Sequence, residues 1–191
     1  MYTAVMDARE RLVTSTQELL WERGYSATSP RAIQDRAGAG QGSMYHHFGG
    51  KAALARIALE RTAEIERARA EELLSGPGTA VERLVAYLRR ERDALRGCPV
   101  GRHAADPDVI ADPGLRAPLD ETFTWLRGRL AELAAAAFGD RVDATALAAT
   151  IVATVQGGYV LARSAGDPQP FADATEGLAT LLESLGDPSC T

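Results

Sequence analysis

At 191 residues the chain has room for one large domain or two small ones. Its 46% hydrophobic and 25% charged residues are ordinary for a protein that buries a sizeable core, and a net charge of −5 argues mildly against a nucleic-acid binder. Two cysteines, Cys98 and Cys190, lie far apart and give neither a disulfide framework nor metal-ligand spacing, so two free thiols in a reducing compartment are expected. "MYTAVMDARERL" lacks the apolar run of a signal peptide, and "LAELAAAAFG" is too short to span a bilayer. A soluble, cytoplasmic protein without membrane attachment is the expectation.

The chain reads as helices throughout. No strand-length alternation and no Asn-Gly or Asp-Gly hairpin turn is present. The first helix is predicted from about Asp7 to Arg23, with Leu12, Thr16, Leu19 and Leu20 on one face and Gly24 as its stop. Ser29-Pro30 starts a short second helix that Gly38 ends. A short third helix carries "SMYHHF". A long fourth runs from about Gly50 to Leu74, with Ala53, Ile57, Ile65 and Leu73 as its apolar contacts. "SGPGT" (75–79) is the clearest linker. A fifth helix is predicted over Ala80–Leu95, with Val81, Leu84, Val85 and Leu88 at helical spacing. "GCPVGRHAADPDVIADPGLRAP" is broken by proline and glycine and reads as loops around one short helix. A helix closing at Gly139 follows. Next comes a long helix in "DATALAATIVATVQGGYVLARSAG" that is apolar on more than one face, and a last one from Asp167-Pro168 to Gly186. That makes about nine helices and an all-α fold. A head over 1–50 and a larger body over 51–191 form the expected division.

The stretch "RAGAGQGSMYHHFGGK" (36–51) concentrates five glycines, two histidines and the only lysine of the chain. It is not a dinucleotide loop. Ser43 stands where the last Gly of "GAGQGS" belongs, and a helix, not a strand, precedes it. It is not a Walker loop either: Ala52 follows Gly50-Lys51, and Tyr45 holds the earlier glycine position. No nucleotide cofactor is expected. His46 and His47 point about 100° apart on a helix and have no Cys or acid at i+3 or i+4, so no metal is expected. Ser43 lacks the acid and the motif of a nucleophile. The remaining reading is a helix-turn-helix: two short helices joined by a glycine-rich turn. Ile33, Ala37 and Met44 form the inner seam, and Phe48 closes it against Leu20 and Tyr25. Gln41, Ser43, Tyr45 and His46 stay outside on the half-helix that enters a major groove. Residues 1–51 carry six cations against five acids, so the acid excess belongs to the body.

From Arg9 to about Leu54 the sequence resembles the DNA-binding head of the TetR family of bacterial repressors. The resemblance rests on Leu19-Leu20 with Gly24-Tyr25, on Ser29-Pro-Arg-Ala-Ile33 with Ala37-Gly38, and on Tyr45-His-His-Phe48-Gly-Gly-Lys51-Ala-Ala-Leu54. The later helices resemble the drug-sensing branch of that family. Two positions depart from the family pattern. Gln34 replaces a small residue and is expected to face outward. Gly40 replaces a Ser or Thr cap, at a cost of only about a few tenths of a kcal/mol.

The resemblance implies phosphate contacts from Lys51, Tyr45 and His47, although His47 could instead be satisfied inside the head. Gln41, Ser43 and His46 are the candidates for base edges, where Gln suits adenine; Ser43 could simply cap its helix. Gly42 lets the backbone approach phosphate, and Ser29 and Arg31 touch the DNA backbone. Arg36 could equally pair with Asp35 or Glu22. Selective binding needs two heads, hence a homodimer on a near-palindrome. Its surface is expected on the last two long helices: Ala148, Ala149, Ala153, Gly157 and Gly158 for close approach, and Leu147, Ile151, Val155, Leu178, Leu181, Leu182 and Leu185 for buried area. A small-molecule effector pocket is expected in the body, drawing on Tyr87, Cys98, His103, Phe123, Trp125, Gln156 and Tyr159. The expected mechanism is a repressor whose fourth helix, bearing Lys51, moves when effector binds. The competing classes are an enzyme with Cys98 and His103 as its active pair, and a helical binding dimer without DNA function.

Overall fold

A computed structural model describes residues 7–187; Cys190 lies outside them. The described residues form nine α-helices and two single-turn 3-10 segments, with no strand. They are α1 (Ala8–Arg23), α2 (Pro30–Ala37), α3 (Gln41–Phe48), α4 (Lys51–Leu74), α5 (Ala80–Arg89), α6 (Pro107–Ala111), α7 (Pro113–Phe138), α8 (Ala144–Ala165) and α9 (Gln169–Gly186).

Local chemistry sets most boundaries. Asp7 caps α1 by accepting from the Glu10 N–H, and Ser29 caps α2 by accepting from Ala32. Gly38 closes α2 in the left-handed region, at φ 56°, which a side chain would resist. A reciprocal capping box starts α5: the Thr79 hydroxyl accepts from Glu82, and the Glu82 carboxylate accepts from the Thr79 N–H.

Packing divides the chain into two compact units. One runs up to Ile65 and takes in Pro99–Asp120; the other comprises Glu66–Cys98 and the chain from Glu121 onward. In the first, Leu12, Val13, Leu19, Ile33, Ala37, Met44, Phe48 and Leu54 form one buried cluster. In the second, Leu74, Leu84, Leu88, Leu130, Phe138, Ile151, Val155, Tyr159, Phe171 and Leu182 are among the residues of a larger one. The helices α4 and α7 are continuous and contribute to both units.

Several expectations are corrected. The fifth helix ends at Arg89, not Leu95, because Arg92 folds back on its end. The Arg92 guanidinium donates to the carbonyls of Tyr87, Leu88 and Arg90, satisfying a terminus that the chain then leaves. Leu95, read as helical, is exposed. Two short helical pieces, not one, occupy the Pro/Gly-rich segment: a 3-10 turn over Gly101–Ala105 and α6. Along α4 the buried stripe is Leu54, Ala55, Ala58, Leu59, Ala63, Ala70 and Leu74; Ala53, Ile57 and Leu73 are half-buried beside it and Ile65 is 41% exposed. Small alanines let α4 pack closely, so the bulkier residues were a poor guide to the inward face. Phe48 packs in one cluster with Leu12, Val13 and Leu19.

The face read as a pairing surface on the last two long helices splits in two. Ala148, Ile151, Val155, Gly158 and Leu182 are buried in their own unit. Ala149, Ala153, Val160, Leu161, Leu181 and Leu185 are exposed, while Leu147, Gly157 and Leu178 are intermediate. The helix α8 is long and apolar enough to cross a membrane by length and composition, but its inner side lines this core.

Two predictions follow from the packing. A Cβ at Gly158 would lie 2.9 Å from a ring carbon of Phe171. Gly158→Ala should therefore lower unfolding free energy by about 1–3 kcal/mol, measured by urea denaturation. His103 is 1% exposed, and its Nδ1 has no hydrogen-bond partner. Burial, with help from the Arg102 charge, lowers its pKa to about 4 despite Asp106 and a hydrogen bond to the Pro99 backbone. The unfolded chain then takes up a proton near pH 6.5 that the folded chain refuses until about pH 4. Stability should fall by up to about 3 kcal/mol across that window as pH drops, and His103→Gln should flatten this limb of the urea midpoint against pH.

Candidate nucleic-acid interface

The helices α2 and α3 are eight residues each, and each buries two side chains, Ile33 with Ala37 and Met44 with Phe48. These four meet α1 and the start of α4 in one cluster. The turn between the helices is Gly38-Ala39-Gly40. The Gly38 and Ala39 N–H groups donate back to α2, Ala39 to the Gln34 carbonyl at 3.1 Å. Gly40 stands at the N-cap of α3 in extended geometry with no side-chain bond, as its lack of a hydroxyl dictates.

Burying Met44 and Phe48 turns the rest of α3 outward. Gln41, Gly42, Tyr45, His46 and His47 are exposed, Tyr45 by 48% despite its ring, and Ser43 is half-buried. His47 is thus not satisfied inside the head. Its ring lies 5.2 Å from that of His46 and 6.1 Å from that of Phe48. No group of three His, Cys, Asp or Glu side chains suited to a metal occurs among the described residues. Ser43 lies inside α3, whose N-cap position is held by Gly40. Arg31 is 90% exposed, with Asp35 3.8 Å away, while the Ser29 hydroxyl is engaged as the α2 cap.

The structure adds contacts that spacing did not reveal. Arg11 on α1 donates from Nε to the Ala37 carbonyl at 2.9 Å and so closes the α2 C-terminus. Gln34 does not face outward; it is half-buried, with its amide 3.7 Å from the Met44 sulfur. Arg36 pairs in bidentate fashion with Glu22 at 2.7 and 2.8 Å, which commits that cation to α1. Arg9 lies 5.6 Å from the Phe48 ring centre, an exposed cation at the far end of α3. Lys51 begins α4 and is half-buried, with its ammonium 4.0 Å from the centre of the Tyr25 ring. Burial lowers its pKa, and the charges of Asp108 and Asp106 oppose that shift.

The effector candidates scatter. Tyr87 and Tyr159 are buried and Cys98 is half-buried in the same unit. Burial raises both phenol pKa values, Cys98 pushing the same way. Arg92 lies 5.0 Å over Tyr87 and 5.7 Å over Phe171. Phe123, Trp125 and Gln156 are half-buried, and Trp125 packs against the core. His103 belongs to the other unit. A cleft of about 450 Å³ lies where Leu88, Arg90 and Arg92 meet Pro168, Phe171 and Thr175; it is lined by none of the seven candidates.

The geometry agrees with known proteins. Residues 12–57 match the family described as bacterial regulatory proteins, tetR family, and residues 77–177 match the LmrA/YxaF-like transcriptional regulator C-terminal domain. An HTH-type transcriptional regulator from Lactococcus lactis is 27% identical over 95% of this chain and 96% of its own length. The Escherichia coli transcriptional repressor NemR is 28% identical over 60% of this chain and 61% of its own. A crystal structure of a TetR regulator from Chloroflexus aurantiacus superposes with a TM-score of 0.79 at 28% identity, covering 92% of this chain and 94% of that one. The second family match alone spans more than half of the chain, so the protein belongs to the TetR family and is a helix-turn-helix transcriptional regulator with an LmrA/YxaF-like C-terminal domain.

Proposed function

We propose that this regulator is a cytoplasmic repressor that binds a near-palindromic operator as a homodimer and releases it when a small hydrophobic or aromatic effector binds. The observation that carries the reading is the outward face of α3: Gln41, Gly42, Tyr45, His46 and His47 are exposed over a sealed apolar seam. Gln41, Ser43 and His46 reach base edges. Tyr45, His47 and Lys51 reach phosphate, together with Ser29, Arg31 and the backbone at Gly42. Residues 1–50 act as the reading head and 51–191 as the sensing and pairing part. NemR, named a transcriptional repressor, supports the sign of regulation.

Pairing uses the outward sides of α8 and α9. Val160, Leu161, Leu181 and Leu185 are large apolar side chains left exposed on two helices packed against each other. Such a cluster on a regulator that needs two heads is a pairing surface. Effector binding acts through α4, one continuous helix that begins at Lys51 and ends at Leu74. The reading of Cys98 and His103 as an active pair falls with the family, whose members are transcriptional regulators and not enzymes.

Fragments selected from the source genome with purified protein, followed by fluorescence anisotropy at two salt concentrations, test the reading. A tight, salt-sensitive, near-palindromic site is expected; loss of selectivity at every salt would sink it. On that site Gln41→Ala should cost about 1–3 kcal/mol and relax preference at one base position, whereas Tyr45→Phe should weaken all sequences alike. Leu181, 62% exposed in one chain, lies in the proposed pairing face, and Leu181→Asp places a charge there. Sedimentation should show monomers with an unchanged helical spectrum, and half-site binding in place of full-site binding.

A further inference from the structure

The turn after α1 carries contacts that neither packing nor base reading requires. Ser26, exposed on that turn, donates its N–H to an Asp106 carboxylate oxygen at 2.8 Å. Its hydroxyl is shared between the other Asp106 oxygen and an Asp108 oxygen. Eighty residues separate Ser26 from Asp106 in sequence. Next to Ser26 stands Tyr25, whose ring carries the Lys51 ammonium at 4.0 Å. Burial raises the Tyr25 pKa, and the charges of Asp112, Asp108 and Asp106 add to the rise. The only lysine of the chain, at the point where α4 leaves the reading head, thus sits on an aromatic face beside clasped carboxylates.

Such an arrangement gives the Lys51 ammonium an aromatic face and, as phosphate would, negative charge. Lys51 is half-buried, and Asp106 and Asp108 are the acids whose charge acts on it. We infer that Ser26, Asp106 and Asp108 form an internal restraint on DNA binding, in which carboxylates clasped to the turn after α1 give Lys51 a counter-charge that operator phosphate must displace. Each is a positioning residue: it acts through Lys51 and touches no DNA. The clasp tunes affinity downward, and anything that withdraws the 106–108 segment from Ser26 raises the phosphate-binding competence of Lys51. This rests on the proposed phosphate role of Lys51.

The test is fluorescence anisotropy of the full chain on its selected operator fragment, across a salt series. The variants are Asp106→Asn with Asp108→Asn, Ser26→Ala, Lys51→Gln, and each of the first two combined with Lys51→Gln. Asn keeps the capping oxygen that Asp106 supplies to α6, so the fold is preserved. The double Asn variant should bind about two- to fivefold tighter, as expected for freeing one surface charge pair. Its log K against log salt should steepen by about one phosphate contact. Ser26→Ala changes no charge and should move both readouts the same way by a smaller amount. Both gains should vanish in the Lys51→Gln background. Equal gains with and without Lys51 would overturn the restraint and leave only general charge repulsion. Weaker DNA binding by Ser26→Ala would overturn it in favour of a structural brace. If Lys51→Gln alone leaves affinity and salt slope unchanged, the phosphate role of Lys51 itself fails, a result separable from failure of the restraint.

Discussion

Neither α2 nor α3 is long enough to be helical on its own; at eight residues each they lie below the length at which a helix is stable in water. They exist because Ile33, Ala37, Met44 and Phe48 are buried together against α1 and the start of α4. Everything else about the head depends on that burial. It fixes which side of α3 is dry, and therefore which side presents Gln41, Tyr45, His46 and His47 to the outside. The glycine turn makes it possible, because Gly38 adopts the left-handed geometry that lets α3 leave α2 sharply. The Arg11 bond to the Ala37 carbonyl and the Gln34 amide beside Met44 then hold the corner from two sides.

The charge of the head follows the same logic. A chain that is net acidic can carry a DNA-reading surface if its cations are allotted by position. Arg36 is spent on Glu22 and Arg61 on Glu10, both joining helices of the head unit. Arg9 lies over the Phe48 ring, Arg31 is exposed with Asp35 3.8 Å away, and Lys51 lies over the Tyr25 ring.

The other unit is built on different terms. Its core is a broad apolar cluster from five helices, sealed where α8 passes so close to α9 that Gly158 faces the Phe171 ring. Bidentate pairs from Arg89 to Glu176 and Glu183 tie α5 to α9 at the surface, where such pairs add little stability but restrict register. The buried phenols Tyr87 and Tyr159 do not line the open cleft at the end of α5, whereas Arg92, which lies over the Tyr87 ring, does.

Much of the head was legible from the chain alone because its signals are local. Ser29-Pro30 and Gly38 mark the ends of α2 through caps made within a few residues. The spacing of Ile33, Ala37 and Met44 marks a buried seam through helical periodicity, and the Tyr45-to-Lys51 pattern marks the reading helix. The same locality located α8 and α9 by Asp143, Gly166 and Gly186. What the sequence could not decide were contacts between residues far apart in it. The early end of α5 depends on where Arg92 folds back, the inward side of α4 on which alanines find neighbours, and the inward position of Gln34 on where Met44 lies. The clasp from Ser26 to Asp106 and Asp108 spans some eighty residues and has no periodic or capping signature at the serine. Periodicity and caps are properties of a single helix, so sequence determined the elements and the exposed face of α3. Side-chain partners across helices depend on how whole elements pack, so only the tertiary structure decided them.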